Sequence, residues 1–200
     1  MKKEKGILTG VTEEDLKLLK KDPKKFWEGV TIIGEEAFLG LPLTSIEIPE
    51  SVTKIMSKAF HSTNLKSVKL PKGISRLENG VFANCALLES VELSDGLSYI
   101  GENAFSCDTA LKRIKIPSSV KVIDEGAFSR CNALTVVEMS EGLSAIGKEA
   151  FFDCPALKSA KIPESVIEVG EALFYNSPKI DQETMWSLSD ALKRIGVIEC

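Results

Sequence analysis

The sequence predicts a β-solenoid of about seven turns. It is built from short parallel strands and closed by helices at both ends. Two observations carry this prediction, and the first is a Phe that returns with steps of 22, 22, 23, 23, 23 and 23 residues. The second is that every interval between these Phe residues repeats the same alternation of apolar positions. A repeat of roughly 20 to 50 residues is typical of a solenoid, in which each unit buries its apolar face against its neighbours. The repeated residues are Phe38, Phe60, Phe82, Phe105, Phe128, Phe151 and Phe174.

Aligned on the Phe, the units read LxxIxLPxxLxxIGxxAFxxC. The alternation Ile114-Lys115-Ile116 is typical of a short strand with two residues inward and one outward. A Pro such as Pro117 then ends the strand, since it cannot donate to a ladder. The Gly after the second apolar pair predicts either a bend with positive φ or a tight approach of two backbones. That Gly occurs as Gly34, Gly101, Gly147 and Gly170.

We expect one continuous domain in three parts: an N-terminal helical cap over 1–29, the repeat array over 30–176 and a C-terminal helical cap over 177–200. End caps are required because a bare terminal turn would expose core and a strand edge.

In the N-terminal part, Thr12 predicts an N-cap. Leu16 and Leu19, with Leu18 as a further candidate, predict an apolar face, and Pro23 predicts a helix end near Lys21.

In the C-terminal part, Asp181 predicts a helix start and Gly196 a helix end. Two alternatives stay open for Val197–Cys200, a last short strand or a loose end. We expect Trp27 and Trp186 to act as lids on the two ends of the stack. The predicted apolar face of this helix comprises Met185, Leu188, Leu192 and Ile195, with Ala191 beside them.

The IGxxAF block and the LxxIxLP block, repeated at 23 residues, resemble the BspA-like leucine-rich repeats over roughly residues 30 to 174. The unit LSYIGENAFSCDTALKRIKIPSSV carries this resemblance most clearly. The resemblance implies a right-handed leucine-rich-repeat superhelix with a parallel sheet on its concave side. It also implies a role in recognition, because members of that family are often bacterial surface or secreted proteins that bind host proteins or other cells.

The Phe column predicts a buried spine of stacked rings, because large apolar stripes at repeat spacing are usually core. Cys85, Cys131 and Cys154 each follow a Phe by three residues, and Asp108 takes that slot in another unit. This is a repeat column and lacks the spacing of a metal site, so we expect small buried structural thiols that are not disulfide-bonded. The sequence indicates no metal site and no cofactor.

The outward position of each strand alternates in charge from unit to unit: Glu47, Lys69, Glu92, Lys115, Glu138, Lys161. On a parallel sheet each Glu then lies between two Lys, either as a solvated ladder that fixes register or as part of a concave binding face. Arg113 and Val136 interrupt a column otherwise made of Ser, which makes them the best candidates for contact. The candidate partner-binding residues are Ser67, Lys69, Ser90, Glu92, Arg113, Lys115, Val136, Glu138, Ser159 and Lys161.

No GxSxG, HExxH, P-loop or GxGxxG pattern is present, and His61 is the only histidine. A pair between His61 and Cys85 is conceivable but lacks a third, orienting group. We therefore expect no catalysis, with a small hydrolase as a remote alternative.

The net charge of −4 gives no reason to expect a nucleic-acid partner, although eight Lys stand against five acidic residues up to Lys25. No apolar run is long enough to insert in a membrane, and the first residues lack the apolar core of a signal peptide.

We expect a non-catalytic recognition scaffold, monomeric rather than oligomeric, that presents a curved surface to a protein or peptide. Unpaired cysteines favour the cytoplasm. A BspA-like adhesin at the cell surface, or secreted, is the alternative, and an array with no specific partner is a third.

Overall fold

A computed structural model of the chain describes residues 1–197. Beyond Val197, the alternatives predicted for the chain end lie outside the described residues. Within residues 1–197 the structure contains thirteen short strands and three helices. In chain order they are β1 (Lys2–Glu4), β2 (Ile7–Thr9), α1 (Glu13–Lys21), α2 (Pro23–Trp27), β3 (Ile32–Ile33), β4 (Lys54–Ile55), β5 (Ser67–Lys69), β6 (Arg76–Leu77), β7 (Ser90–Glu92), β8 (Tyr99–Ile100), β9 (Arg113–Ile116), β10 (Val122–Ile123), β11 (Val136–Met139), β12 (Ala145–Ile146), β13 (Glu168–Val169) and α3 (Gln182–Arg194).

The strands form two ladders along the array, as a solenoid of parallel strands requires. The LxxIxL strands form two separate parallel pairs, β5–β7 and β9–β11. Strands β7 and β9 are in contact along the array, and the two pairs together are called the first sheet. The second sheet consists of the strands that precede the Gly; it runs β1-β2-β3-β4 and then β6-β8-β10-β12-β13. All its pairs are parallel except β1–β2. The predicted β-solenoid is confirmed.

The Phe residues form the buried spine that their period predicts. From Phe38 to Phe151 every ring of the column is 0% exposed, and Phe174 at the C-terminal end is partly buried. Consecutive rings stack with centroids 4.9 to 5.7 Å apart. Phe26 of α2 extends the spine with a tilted contact to Phe38 at 6.3 Å. The dry aromatic column is therefore confirmed, and the N-terminal helices close it.

A third ladder of backbone hydrogen bonds runs along the Phe spine. In it the N–H of each Phe donates to the carbonyl of the residue that precedes the next Phe. Phe105 N donates to Ala127 O at 2.8 Å, and Phe128 N donates to Ala150 O at 2.8 Å in the next turn. The small side chains of Ala127 and Ala150 are fully buried beside the rings. Each turn is thus bonded to the next in the segment of the Phe spine as well as in the two sheets.

The turns around each Phe take positive φ, but not at the glycines singled out in the sequence. Gly34, Gly101, Gly147 and Gly170 have ordinary φ, and at Gly147 an added Cβ would lie 2.5 Å from Glu125 N. The tight-approach alternative is therefore correct and the positive-φ alternative is wrong. Left-handed residues occur two positions before and two after each Phe: Glu36, Lys58, Gly80, Asn103, Gly126, Glu149 and Ala172, then Gly40, Ser62, Asn84, Cys107, Arg130, Asp153 and Asn176.

The N-terminal end carries the expected helix and, in addition, a β-hairpin that was not predicted from the sequence. Strands β1 and β2 pair antiparallel, and β2 continues the second sheet by pairing in parallel with β3. Helix α1 ends at Lys21 and starts from a capping box between Thr12 and Asp15. Leu16 and Leu19 are buried, as their spacing predicts.

The C-terminal end is closed by α3, which starts from the predicted N-cap Asp181. Most of the predicted apolar face is turned inward: Ala191 is buried, and Leu188, Leu192 and Ile195 are partly buried. Met185 departs from the prediction with 48% exposure, and Thr184 is buried in addition. Trp27 is buried against the Phe spine, but Trp186 is 65% exposed and does not act as a lid. No helix within residues 1–197 has the length and apolarity to cross a bilayer.

Candidate functional site

The outer face of the first sheet gathers the predicted partner-binding residues in two columns. The register places Ser67 opposite Ser90 and Lys69 opposite Glu92. In the next pair of strands Arg113 lies opposite Val136, and a bridge continues from Val136 to Ser159. Successive residues of a strand point to opposite faces, so the apolar partners of these side chains lie in the core. The structure thus brings the candidate residues onto one surface.

The exposure of these residues varies along the two columns. The charged column is exposed throughout, whereas Val136 and Ser159 of the other column are half-buried. The exposed members are Ser67, Lys69, Ser90, Glu92, Arg113, Lys115, Glu138 and Lys161.

The charge ladder is paired differently from the regular arrangement that the sequence predicts. Lys69 Nζ lies 2.6 Å from Glu92, and this hydrogen bond raises the pKa of Lys69. Glu138 pairs with Arg113 at 3.1 Å. Lys161 pairs with Glu183 of α3 at 3.1 Å. The register keeps the predicted alternation, with Lys69 opposite Glu92 and Lys115 opposite Glu138. The ion pairs differ in the middle of the sheet, because Glu138 pairs with Arg113 of the neighbouring column and not with Lys115.

Lys115 is left without an ion pair among residues 1–197. It lines an open recess of about 360 Å³ next to the strand ends, with the acidic residues Glu92 and Asp95 also in its lining. The remaining lining residues are Val91, Leu93, Pro117, Ser118 and Ser140. Sequence reasoning missed this recess. The signal that could have found it is that Asp95 and Ser118 lie in the turns shortly after strands β7 and β9 end. It places a free cation and hydroxyl groups beside partly buried apolar side chains.

The cysteine column is structural. Cys131 Sγ donates to Phe105 O at 3.1 Å, and Cys154 Sγ donates to Phe128 O at 3.2 Å. Each thiol thus points to the Phe carbonyl of the preceding turn. Burial raises the pKa of Cys154 to about 12 and that of Cys131 well above its ordinary value. The prediction of free thiols is confirmed for the four cysteines within the described residues, whereas Cys200 lies outside them.

No catalytic arrangement forms around the histidine. The His61 ring contacts Ser62 Oγ through Nδ1 at 2.8 Å and Asn84 through Nε2 at 3.0 Å. Cys85 is instead buried against Thr63 and the carbonyl of Phe60. The conceivable pair of His61 with Cys85 is therefore absent. Within residues 1–197 no three His, Cys, Asp or Glu side chains converge as metal ligands would.

Comparison with known proteins places this architecture among bacterial repeat proteins. A family model described as BspA type leucine rich repeat region (6 copies) matches residues 24–135, 53–181 and 123–196. No curated protein sequence matches the chain.

Two solved structures are similar over three quarters of the chain. A leucine rich cell surface protein from Faecalibacterium prausnitzii is 29% identical, with a TM-score of 0.59, over 77% of this chain and 51% of that one. A leucine-rich repeat protein from Bacteroides ovatus is 24% identical, with a TM-score of 0.56, over 76% of this chain and 52% of that one. This chain thus spans about half the length of both relatives.

A third solved structure is similar to this chain over most of the length of each of the two proteins. It is the T. pallidum leucine rich repeat protein, 24% identical with a TM-score of 0.57, over 80% of this chain and 81% of that one. At that identity the likeness concerns the fold.

Proposed function

Because this chain belongs to the BspA-type leucine-rich repeat family, we propose that it is a non-catalytic recognition scaffold. In this proposal the outer face of the first sheet binds a protein or peptide. The scaffold acts as a monomer, and sedimentation at increasing concentration tests that part.

The observation that carries the proposal is the interruption in the middle of the sheet. Arg113 and Val136 replace Ser in adjacent strands. Glu138 pairs with Arg113, and Lys115 then has no ion-pair partner within the described residues. A cation beside a half-buried valine and an open recess offers a partner both an ion pair and apolar contact. Arg is enriched at protein interfaces and among the residues that dominate their binding energy.

The experiment compares wild type with two charge-reversal variants, one double and one single. Tagged wild type, Arg113→Glu with Lys115→Glu, and Lys54→Glu are used to recover proteins from the source cells and their surroundings. Lys54 is an exposed cation on the second sheet and serves as the matched control. We expect proteins that are recovered by wild type and by the control but lost with the double variant. Equal recovery by all three would count against a site on the first sheet.

A second candidate is a BspA-like adhesin at the cell surface. The observation that favours it is the 29% identity to a protein described as a cell surface protein. The five cysteines weigh the other way, toward the reducing cytoplasm. Labelling intact source cells with a reagent that cannot enter them, followed by mass spectrometry, separates the two locations. Labelled lysines on the intact cell would favour the adhesin, and labelling only after lysis would favour the cytoplasmic scaffold.

The remote hydrolase alternative has a direct test. A panel of ester, peptide and glycoside substrates should show no turnover above that of heat-unfolded protein. Saturable turnover that follows the folded state would contradict the non-catalytic proposal.

A further inference from the structure

The two ends of the first sheet are closed in different ways. At the C-terminal end, the last turn donates to side chains of α3. Ala160 N donates to Thr184 Oγ1 at 3.0 Å, and Ile162 N donates to Ser187 Oγ at 2.9 Å. Helix α3 thus supplies the acceptors that a following strand would otherwise provide. The N–H groups of Ala160 and Ile162 at this edge are therefore hydrogen-bonded.

At the N-terminal end, the first turn of the same sheet lacks such partners. The segment 44–48 is joined to the next turn by a single backbone bond, from Lys66 N to Thr44 O at 3.2 Å. Within residues 1–197 none of the N–H groups from Ser45 to Ile48 donates a hydrogen bond. Residues 44–48 are not part of a strand in this structure, and the N–H groups of Ser45 and Glu47 are the ones on the side away from the next turn. Unpaired backbone beside a sheet is a template for pairing with another extended chain.

The direction of the free groups follows from the rest of the sheet. The inward residues of a turn donate to the next turn, as Val137 N does to Ser159 O at 2.9 Å. Because alternate residues of a strand bond in opposite directions, the outward residues Ser45 and Glu47 direct their N–H and C=O groups to the N-terminal side. That side faces helices α1 and α2.

A groove of about 350 Å³ separates this edge from the helices. Its helical wall is formed by Leu16, Leu19, Lys20 and Pro23, and the other wall by residues 42–47. Ile46 is only partly buried there, whereas the equivalent Val68 is 4% exposed. The groove therefore offers apolar walls on both sides of the unpaired backbone.

An adjoining recess of about 330 Å³ is lined by Trp27 and Lys24. The Trp27 Nε1–H is buried and has no acceptor within the described residues. An indole N–H usually finds a partner when buried. This end of the sheet therefore has an unmet hydrogen-bond donor in addition to the strand edge.

The charges of the groove differ between its walls. Lys20 on the groove and Lys24 on the recess belong to the helices, and neither forms an ion pair within residues 1–197. The acids of the lining are Glu47, on the opposite wall, and Glu28 in the recess. An acidic side chain on the helical side of an inserted chain would meet free lysines.

We propose that an extended peptide of a partner protein binds in this groove and adds a strand beside Ser45–Glu47, with apolar side chains at alternate positions and an acidic side chain facing Lys20. Strand addition of this kind draws its affinity from main-chain bonds and its specificity from pockets for alternate side chains. The groove lies outside the candidate surface formed by residues 67–161, so either proposal can fail without the other.

The test uses a capped peptide of alternating valine and threonine with a glutamate at each end, and the full-length protein. Amide exchange followed by NMR should slow at least about tenfold at Ser45 and Glu47 when the peptide saturates the site. The same peptide methylated on alternate backbone nitrogens should bind about two- to tenfold more weakly for each bond lost. Binding that leaves those amides unchanged, or that methylation does not weaken, would overturn the proposal.

Variants test the two walls separately. Ser45→Pro removes one edge donor and should weaken the peptide, with thermal melting to check the fold. Lys20→Glu alters only an exposed charge and should shift the preference, by about two- to fivefold, toward a version of the peptide with lysine ends. Lys54→Glu should change neither.

Protection of Ser45 and Glu47 that rises with protein concentration in the absence of peptide would identify a second copy as the occupant and overturn the assignment.

Discussion

Asp108 Oδ1 accepts a hydrogen bond at 2.8 Å from Cys85 N of the adjacent, preceding turn of the solenoid. Asp108 occupies the slot that holds a cysteine in the neighbouring turns, and it is fully buried. Its other oxygen, Oδ2, has no partner within residues 1–197. In that slot Cys85 and Cys131 donate to the Phe carbonyl of the preceding turn, which a carboxylate cannot do. A protonated Asp108 can donate in the same way.

The stability of the protein should therefore carry a pH-dependent contribution from Asp108. Burial raises the pKa of this carboxyl well above its ordinary value, and the N–H of Cys85 offsets part of that rise. Because the folded state holds the proton more tightly than the unfolded state, the contribution is fully present below the unfolded pKa of about 3.9. It is lost as pH rises toward the folded pKa.

Urea unfolding of wild type and Asp108→Asn between pH 4 and pH 8 measures this contribution. The amide keeps the acceptor for Cys85 N and supplies a permanent donor. We expect the stability of wild type relative to the variant to fall as pH rises. Comparison with the variant removes the opposite effect of carboxyls such as Glu89, whose pKa is lowered by Lys112. Parallel pH profiles for the two proteins would contradict a buried neutral acid.

The thiols should react in an order set by burial. Cys107 is partly exposed, whereas Cys85, Cys131 and Cys154 are 0% exposed. Burial raises the pKa of Cys85 to about 12, so its reactive thiolate is scarce at neutral pH. In a Cys200→Ser background, an alkylating reagent at pH 8 should label Cys107 first and the other three only with unfolding. Peptide mass spectrometry reads the order, and early labelling of Cys131 would contradict it.

Truncation of the Phe spine should cost most in its middle. Phe105→Ala removes a fully buried ring stacked between two others, and we expect a loss of about 3–5 kcal/mol. Phe174→Ala is the matched control at the partly buried end, and its loss should be clearly smaller. Denaturant melts measure both free energies of unfolding. A loss below about 1 kcal/mol for Phe105→Ala would contradict the assignment of that ring to the core.

Substitution by glycine should not lower stability at positions with a left-handed backbone, whereas it should lower stability at ordinary turn positions. Ala172 has a φ of 54°, which strains an L-residue by about 1–2 kcal/mol. Ala172→Gly should therefore be neutral or stabilising by up to about 1 kcal/mol, whereas Gly80→Ala at φ 61° should destabilise by about 1 kcal/mol.

Ala86 is exposed and lacks a positive φ, so Ala86→Gly should cost about 0.5–1 kcal/mol. Thermal melts of the three variants provide the comparison. A similar loss for Ala172→Gly and Ala86→Gly would mean that the strain at Ala172 is negligible.

The amino-acid sequence alone determined the features that recur in every turn. The period of the Phe column, the inward pairs such as Ile114 and Ile116, and the buried thiols were all predictable, because each turn repeats one environment and the same residue type returns to it. The candidate contact residues Arg113 and Val136 were visible for the same reason, as departures from a column of Ser.

Only the tertiary structure decided features that depend on distances between turns or on the two ends. Glu138 pairs with Arg113 and not with Lys115, because the Arg113 side chain reaches it across the neighbouring strands. Lys115 then has no ion-pair partner within residues 1–197. The closure of the last turn by Thr184 and the open edge at Ser45 involve helices outside the repeat. The repeat pattern does not predict how segments that occur only once pack against the array, because no second copy shows the same environment. The packing of these end segments therefore follows only from the tertiary structure.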